Sequence, residues 1–183
     1  MTKIAHLTDL HFGRIIDPEI VEVAVREVNA LGAELVVVSG DLTQRARPRQ
    51  YEAAVAMLAA FDAPLMVVPG NHDVYPWWRP VGRLFRPLHR YRHYIAGGLM
   101  PVFDSERVAV LGINSAFGWT VKGGCIGAAA RAQIGSFFAG KAADVFKILV
   151  VHHHLRPIEG VGRGGGIWGG AATWRRRRRP AST

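Results

Sequence analysis

The chain has 183 residues, 49% of them hydrophobic, and a formal net charge of +9. That length suits one well-buried domain. The single cysteine, Cys125, excludes an intrachain disulfide and argues against a thiolate metal cluster. No run of about 18 or more uncharged apolar residues occurs, and Met1-Thr2-Lys3 leads directly into an apolar strand. A soluble, cytoplasmic protein without a membrane partner is expected.

In chain order, Ile4 to Leu7 reads as a strand ending in Thr8-Asp9-Leu10-His11. Asp17-Pro18 then reads as an N-cap with proline at the first helical position, followed by Ile20, Val23, Ala24, Val28 and Leu31 at helical spacing. Leu35 to Val38 is a second strand and ends in Ser39-Gly40-Asp41. Pro48 to Phe61 is a second amphipathic helix, with Tyr51, Ala54, Val55 and Leu58 on one face. Leu65 to Val68 is a third strand, closed by Gly70-Asn71-His72-Asp73. Strand, helix, strand, helix, strand favours an α/β fold with a parallel sheet covered by helices.

Residues 74 to 98 change texture, mixing prolines, aromatic residues and five arginines. An irregular or partly helical insertion is expected there. Its bland reading is a solvated cap whose tryptophans pack on the core; the alternative is a rim for phosphate or nucleic acid. Pro101 to Phe103 and Val108 to Ile113 read as an antiparallel hairpin opening a second sheet. Ala128 to Phe138 reads as a helix, and Phe146 to Val151 as a buried strand ending in His152-His153-His154. After Gly160 the periodicity is lost in glycines and in Arg175 to Arg179. That tail holds six of the nine net charges, so nucleic-acid binding is not favoured, and residues 159–183 are expected to be a disordered appendage to a domain at 1–158.

Four strand ends thus carry carboxylate, imidazole and amide groups, and open α/β sheets bind ligands at the carboxyl ends of their strands. On an extended backbone Asp9 and His11 share a face and form a chelating pair. Asp41 has two oxygens with which to bridge two ions about 3.5 to 4 Å apart. Asn71 and His152 offer further donors, and the mixture suits manganese, iron or zinc. His72 is better cast as an acid or a charge stabiliser for the leaving oxygen than as a ligand. His6, inside the first strand, reads as a satisfied core residue or one facing the second sheet, and His153 and His154 as supporting or packing residues.

The ordered elements Asp9-Leu10-His11, Gly40-Asp41, Gly70-Asn71-His72-Asp73 and His152-His153 resemble the calcineurin-like metallophosphoesterase superfamily. Pro101 to Leu155 resembles the following part of its class III cyclic-nucleotide phosphodiesterase-like branch. The resemblance implies an α/β/β/α sandwich of two stacked sheets. It also implies a centre of two divalent metal ions that activates water or hydroxide against a phosphomonoester or phosphodiester, a nucleotide among the candidate substrates. By matched position Asp9 and His11 would bind the first ion, Asp41 would bridge, and Asn71 and His152 would bind the second. His72 would contact the phosphate, and Asp73 would orient His72. Members also carry a later Gly-His-x-His that gives one ligand to each ion, whereas no histidine follows His154 here. The expectation is a truncated or frame-shifted carboxyl end, an incomplete second sheet and impaired activity. The rival readings are a pyrophosphatase acting on nucleotide-sugars or lipids, a nuclease, and a non-catalytic remnant that binds phosphate or nucleic acid.

Overall fold

The computed structural model describes residues 2–13, 17–120, 122–155 and 167–168. The first sheet is parallel, in the order β1 (Ile4–Leu7), β2 (Leu35–Ser39), β3 (Leu65–Val68), with Ala5 beside Val36 and Val37 beside Met66. Its crossovers are α1 (Pro18–Ala30) and α2 (Pro48–Leu58). Asp17 caps α1 as the sequence predicts, its Oδ1 accepting from the Glu19 amide at 2.9 Å. Helix α2 stops three residues short of Phe61, because the Ala60 and Phe61 amides turn back to the Met57 and Leu58 carbonyls.

Side-chain alternation along β2 separates two cores. Val36 and Val38 pack with Val28, Tyr51 and Ala54 under the helices, whereas Leu35 and Val37 pack with Met66, Val108 and Val110. That second cluster lies between the sheets. The second sheet runs β4 (Val102–Asp104), β5 (Val108–Gly112), β7 (Phe146–Val150), with β4 antiparallel to β5 and β7 parallel to it. Ala109 and Leu111 of β5 face away from the first sheet and pack with Ile134 and Phe138 of α5 (Ala128–Ala139). The four layers, helix, sheet, sheet and helix, are the sandwich expected.

Some expectations are corrected. Among the described residues β7 lies at the edge of its sheet, and Phe146 is 67% exposed, so this strand is not buried along its length. Of the two readings of His6 the core one fails: His6 is exposed on β1 and held by Ser39 Oγ at 2.7 Å, on the face it shares with Ile4, which packs between the sheets. Of residues 159–183 only Ile167 and Trp168 are described, and they form β8, which pairs in parallel with β6 (Gly124–Cys125). The Ile167 amide also donates to the His154 carbonyl at 3.0 Å. The tail arginines lie outside the described residues. Between β3 and β4 the insertion forms two short helices, α3 (Pro80–Phe85) and α4 (His89–Tyr94). Among the described residues no helix is long and apolar enough to cross a membrane.

Candidate metal centre

Parallel pairing brings the carboxyl ends of β1, β2 and β3 together, and hydrogen bonds continue past them. The Asp9 amide donates to the Gly40 carbonyl at 3.2 Å, His11 to Asp41 at 2.8 Å, and Phe12 to Leu42 at 2.8 Å. The two loops are therefore zipped side by side. Their backbone is not extended, as the chelating pair was expected to require: φ is 56° at Asp9, 47° at His11 and 51° at Asp41. Left-handed backbone is uncommon for residues with a Cβ and persists where neighbours enforce it. Here the loop-to-loop hydrogen bonds do so, and three candidate ligands carry the strain.

Two glycines make the approach feasible. Gly40 has φ of 93°, and a Cβ there would lie 2.6 Å from His152 Nδ1. A Cβ on Gly70 would run into the Asp41 carboxylate. The loops after β2, β3 and β7 close on each other because these positions have no side chain.

The expected ligands come together around Asp41, which is buried. His11 Nε2 lies 3.6 Å from Asp9 Oδ1 and 3.7 Å from Asp41 Oδ2. On the other side His152 Nε2 is 3.5 Å from Asp41 Oδ1 and 3.3 Å from Asn71 Oδ1. Among the described residues, two groups of three have donor atoms within 4.8 Å of one another: His11, Asp41 and His72, and Asp9, Asp41 and His152. Asp41 belongs to both. Asp9 is near both His11, at 3.6 Å, and the group with His152, while the His72 ring stands beside His11 and Asp41. The His72 ring meets that of His11 edge to face, with centroids 4.7 Å apart.

Carbonyls aim the histidines. His72 Nδ1 donates to the Gln44 carbonyl at 2.9 Å, and His152 Nδ1 to the Ser39 carbonyl at 2.8 Å. A carbonyl only accepts, so each Nδ1 carries the proton and each Nε2 is left to face the site. Gln44 and Ser39 enter through their backbone, which no side-chain motif in the sequence reveals.

Among the described residues Asp73 makes no direct hydrogen bond to the His72 ring, which is held by Gln44. The Asp73 carboxylate accepts from the amides of Gly70 at 3.0 Å, Thr43 at 3.0 Å and Leu42 at 3.2 Å, and from Thr43 Oγ1 at 3.1 Å. The 3-10 turn Asn71–Asp73 sends the two side chains different ways. Asp73 is a buried brace between the loops after β2 and β3. Burial pushes its carboxyl up to about 6, partly offset by the Gly70 amide and reinforced by the Asp41 charge. Thr43, also buried, shares its one Oγ1 proton between the Asp73 carboxylate and the His72 carbonyl at 3.2 Å, and this completes the brace. Its sequence position gave no sign of that role. His153 is buried on Ser115 Oγ at 2.7 Å, whereas His154 is exposed.

The electrostatics call for positive charge. Burial raises the Asp41 carboxyl, but its hydrogen bond and charge interaction with His152 and the His72 amide outweigh that and hold it below the usual carboxylate value. Burial lowers His152, but Asp41 pulls it the other way, up to about 9. With its proton on Nδ1, a neutral His152 would aim a lone pair at Asp41 Oδ1 and Asn71 Oδ1. A second proton on the ring, or a cation among them, removes that opposition of acceptors. Carboxylate, imidazole and amide oxygen are donors that a divalent transition metal takes, so the residues fit such ions.

A model of the calcineurin-like phosphoesterase family matches residues 2–179. The glycerophosphodiester phosphodiesterase GpdQ of Enterobacter lignolyticus is 36% identical over 80 residues, covering 38% of this chain and 29% of that protein. Uncharacterized metallophosphoesterases of two Helicobacter pylori strains are 30% identical over 88 and 121 residues, covering 43% and 61% of this chain and 22% and 28% of theirs. The chain thus spans less than a third of the length of these relatives. A purple acid phosphatase from yellow lupin (Lupinus luteus) seeds superposes with a TM-score of 0.62 at 13% identity, over 85% of this chain and 31% of that one. That likeness is one of fold. With the family model spanning nearly the whole sequence, the chain belongs to the calcineurin-like phosphoesterase family.

Proposed function

We propose that this chain is a metal-dependent phosphoric ester hydrolase working through two divalent ions, of manganese, iron or zinc, held about Asp41. The observation that carries this reading is the buried Asp41 carboxylate, one oxygen 3.7 Å from His11 Nε2 and the other 3.5 Å from His152 Nε2. Asp9, His11 and His72 lie toward one side of the cluster or the other, and Asn71 stands beside His152. The ions would supply positive charge to the phosphoryl oxygens and lower the pKa of a water held beside them.

The chain's own residues do the rest. Ser39 and Gln44 fix the ring nitrogens that donate, and Asp73 with Thr43 locks the turn that carries Asn71 and His72. His72 Nε2 faces the site, where it would ligate an ion or hold a proton for the leaving oxygen. Beside it a pocket lined by Asn71, His72, Gln44, Arg45 and Trp77 gives the ester's organic part a place next to the cluster. Phosphodiesters, nucleotides among them, and phosphomonoesters are the substrate classes this supports.

The test is hydrolysis of bis-p-nitrophenyl phosphate with and without added manganese, together with calorimetric counting of bound ions. Two ions per chain and a turnover abolished in Asp41→Ala are expected. One weakly bound ion or none, with no turnover, would instead mark a non-catalytic member.

A further inference from the structure

The insertion between β3 and β4 buries Val74, Leu88 and Tyr91 in the core but leaves the apolar side chains around α3 uncovered. Helix α3 buries none of its residues, and Val81 and Phe85 are 72% and 79% exposed. Trp77 before it and Trp119 on the loop after β5 are each 71% exposed, and Trp78, Leu84 and Phe117 are exposed too. These account for half of the exposed large hydrophobic side chains among the described residues. Scattered single exposures are ordinary, whereas a clustered patch marks an interaction surface.

The two stretches form one surface. Arg83 of α3 reaches both, donating to the Tyr75 carbonyl at 2.6 Å and to the Thr120 carbonyl. A Cβ on Gly118 would strike the Arg83 carbonyl, so the loop backbone lies directly on α3. Phe85 and Phe117 line one pocket together with Arg86 and Arg92. The Trp77 and Trp78 rings stand edge to face, 5.7 Å apart.

Charge distinguishes the occupant. Residues 74–103 contain five arginines and no acidic residue. Arg79 and Arg86 flank α3 at its two ends, and both are exposed. Tryptophan and phenylalanine beside aliphatic side chains, ringed by arginine and free of acids, is the composition that settles at a headgroup boundary and is drawn to anionic lipid. A nucleic acid would use the tryptophans and arginines but gain nothing from bare Val81 and Leu84.

We propose that α3, with Trp77, Trp78 and the loop at Phe117 to Trp119, docks this protein on the surface of an anionic membrane. That no described helix is long and apolar enough to cross a membrane has no bearing on such peripheral attachment. Trp77 and Arg83 also line the pocket that contains Asn71 and His72, so docking brings that pocket next to the lipid. If the hydrolase reading above holds, its substrate is then a phosphoester presented at a lipid surface.

The experiment is co-sedimentation of the metal-free protein with vesicles of phosphatidylcholine, with and without phosphatidylglycerol. The protein should pellet with the anionic vesicles, much less with the neutral ones, and less as salt is raised. The double variant Val81→Glu/Phe85→Glu, and separately Trp119→Glu, should weaken vesicle binding by about tenfold or more. Both should keep the parent's melting temperature and its rate on soluble bis-p-nitrophenyl phosphate, so failure of docking and failure of the hydrolase reading are told apart. Absence of vesicle binding by the parent, or equal binding by the variants, overturns the proposal. So does a parent dimer that Phe85→Glu dissociates without any vesicle binding, since the surface would then belong to a second copy. Retention of single-stranded RNA in place of vesicles would overturn it as well.

Discussion

The imidazole of His152 is tied through Nδ1 to the backbone carbonyl of Ser39, 2.8 Å away and 113 residues earlier in the chain. The bond joins the second sheet to the end of β2 and fixes a tautomer, leaving Nε2 to face Asp41 and Asn71. One contact thus couples the packing of two sheets to the aim of one candidate ligand.

Against the effect of burial, Asp41 is the main influence raising the His152 pKa to about 9, with the Ser39 carbonyl and the Asp9 charge adding to it. In metal-free Asp41→Asn the carboxylate charge is gone, so His152 should titrate well below its parent value, followed by NMR of the ring. The same variant should bind manganese about a hundredfold or more weakly, because the lost oxygens served both sides of the cluster. A His152 still titrating near the parent value would show that Asp41 is not its partner.

Glycine spacing offers a test of the loop closure. Gly70→Ala pushes a methyl group into the Asp41 carboxylate and amide, where nothing can yield without moving the loop after β2. Destabilisation of about 1–3 kcal/mol is expected, with loss of metal binding. Gly135, in the interior of α5, has open space where its Cβ would be. Gly135→Ala should therefore raise stability by about 0.5–1 kcal/mol, read from urea unfolding. A neutral Gly70→Ala would mean that these loops do not close as described.

Much of the frame was legible from periodicity. Strands β1 to β3 stand where the apolar runs lie, and Asp17 caps α1 because the residue type and the following proline suffice locally. The ligand vocabulary was legible for the same reason, since strand ends in a parallel sheet share one edge. What stayed hidden was tertiary. The left-handed backbone at Asp9, His11 and Asp41 is imposed by hydrogen bonds between loops some thirty residues apart. Adjacency in sequence suggested that Asp73 serves His72, yet a 3-10 turn separates them and gives the carboxylate to three amides and a hydroxyl. Phe146 lies in an apolar run but on an edge strand, which composition alone does not reveal.

The brace around Asp73 has its own signature. Asp73→Asn replaces one acceptor oxygen with an NH2 group that faces amide donors, leaving buried hydrogens opposed. A loss of about 1–3 kcal/mol is expected in unfolding. Manganese affinity should fall with it, since the turn bearing Asn71 is loosened. Unchanged stability would mean that the carboxylate is already protonated and replaceable.

His153 gives the pH dependence that can be isolated most directly. Burial, then the neighbouring His152 charge, depresses its pKa from 6.5 to about 4, while Nδ1 meets Ser115 Oγ at 2.7 Å and Nε2 has no partner among the described residues. The unfolded chain therefore binds a proton at this residue between those two values that the folded chain refuses. Stability from a neutral, buried His153 is fully present above about 6.5 and is lost as pH falls toward about 4. The slope from one such group is at most about 1.4 kcal/mol per pH unit. His153→Gln removes the titration, so it should be less stable than the parent at neutral pH by about 1 kcal/mol, the value of the lost Ser115 contact. That deficit should shrink and then reverse on acidification, because only the parent must refuse a proton. Asp73 and His152 are common to both proteins and cancel to first order in the difference. Urea unfolding of the pair at about pH 7, 6 and 5 reads it directly. Stability curves that stay parallel across that range would show that His153 is not held neutral by its burial.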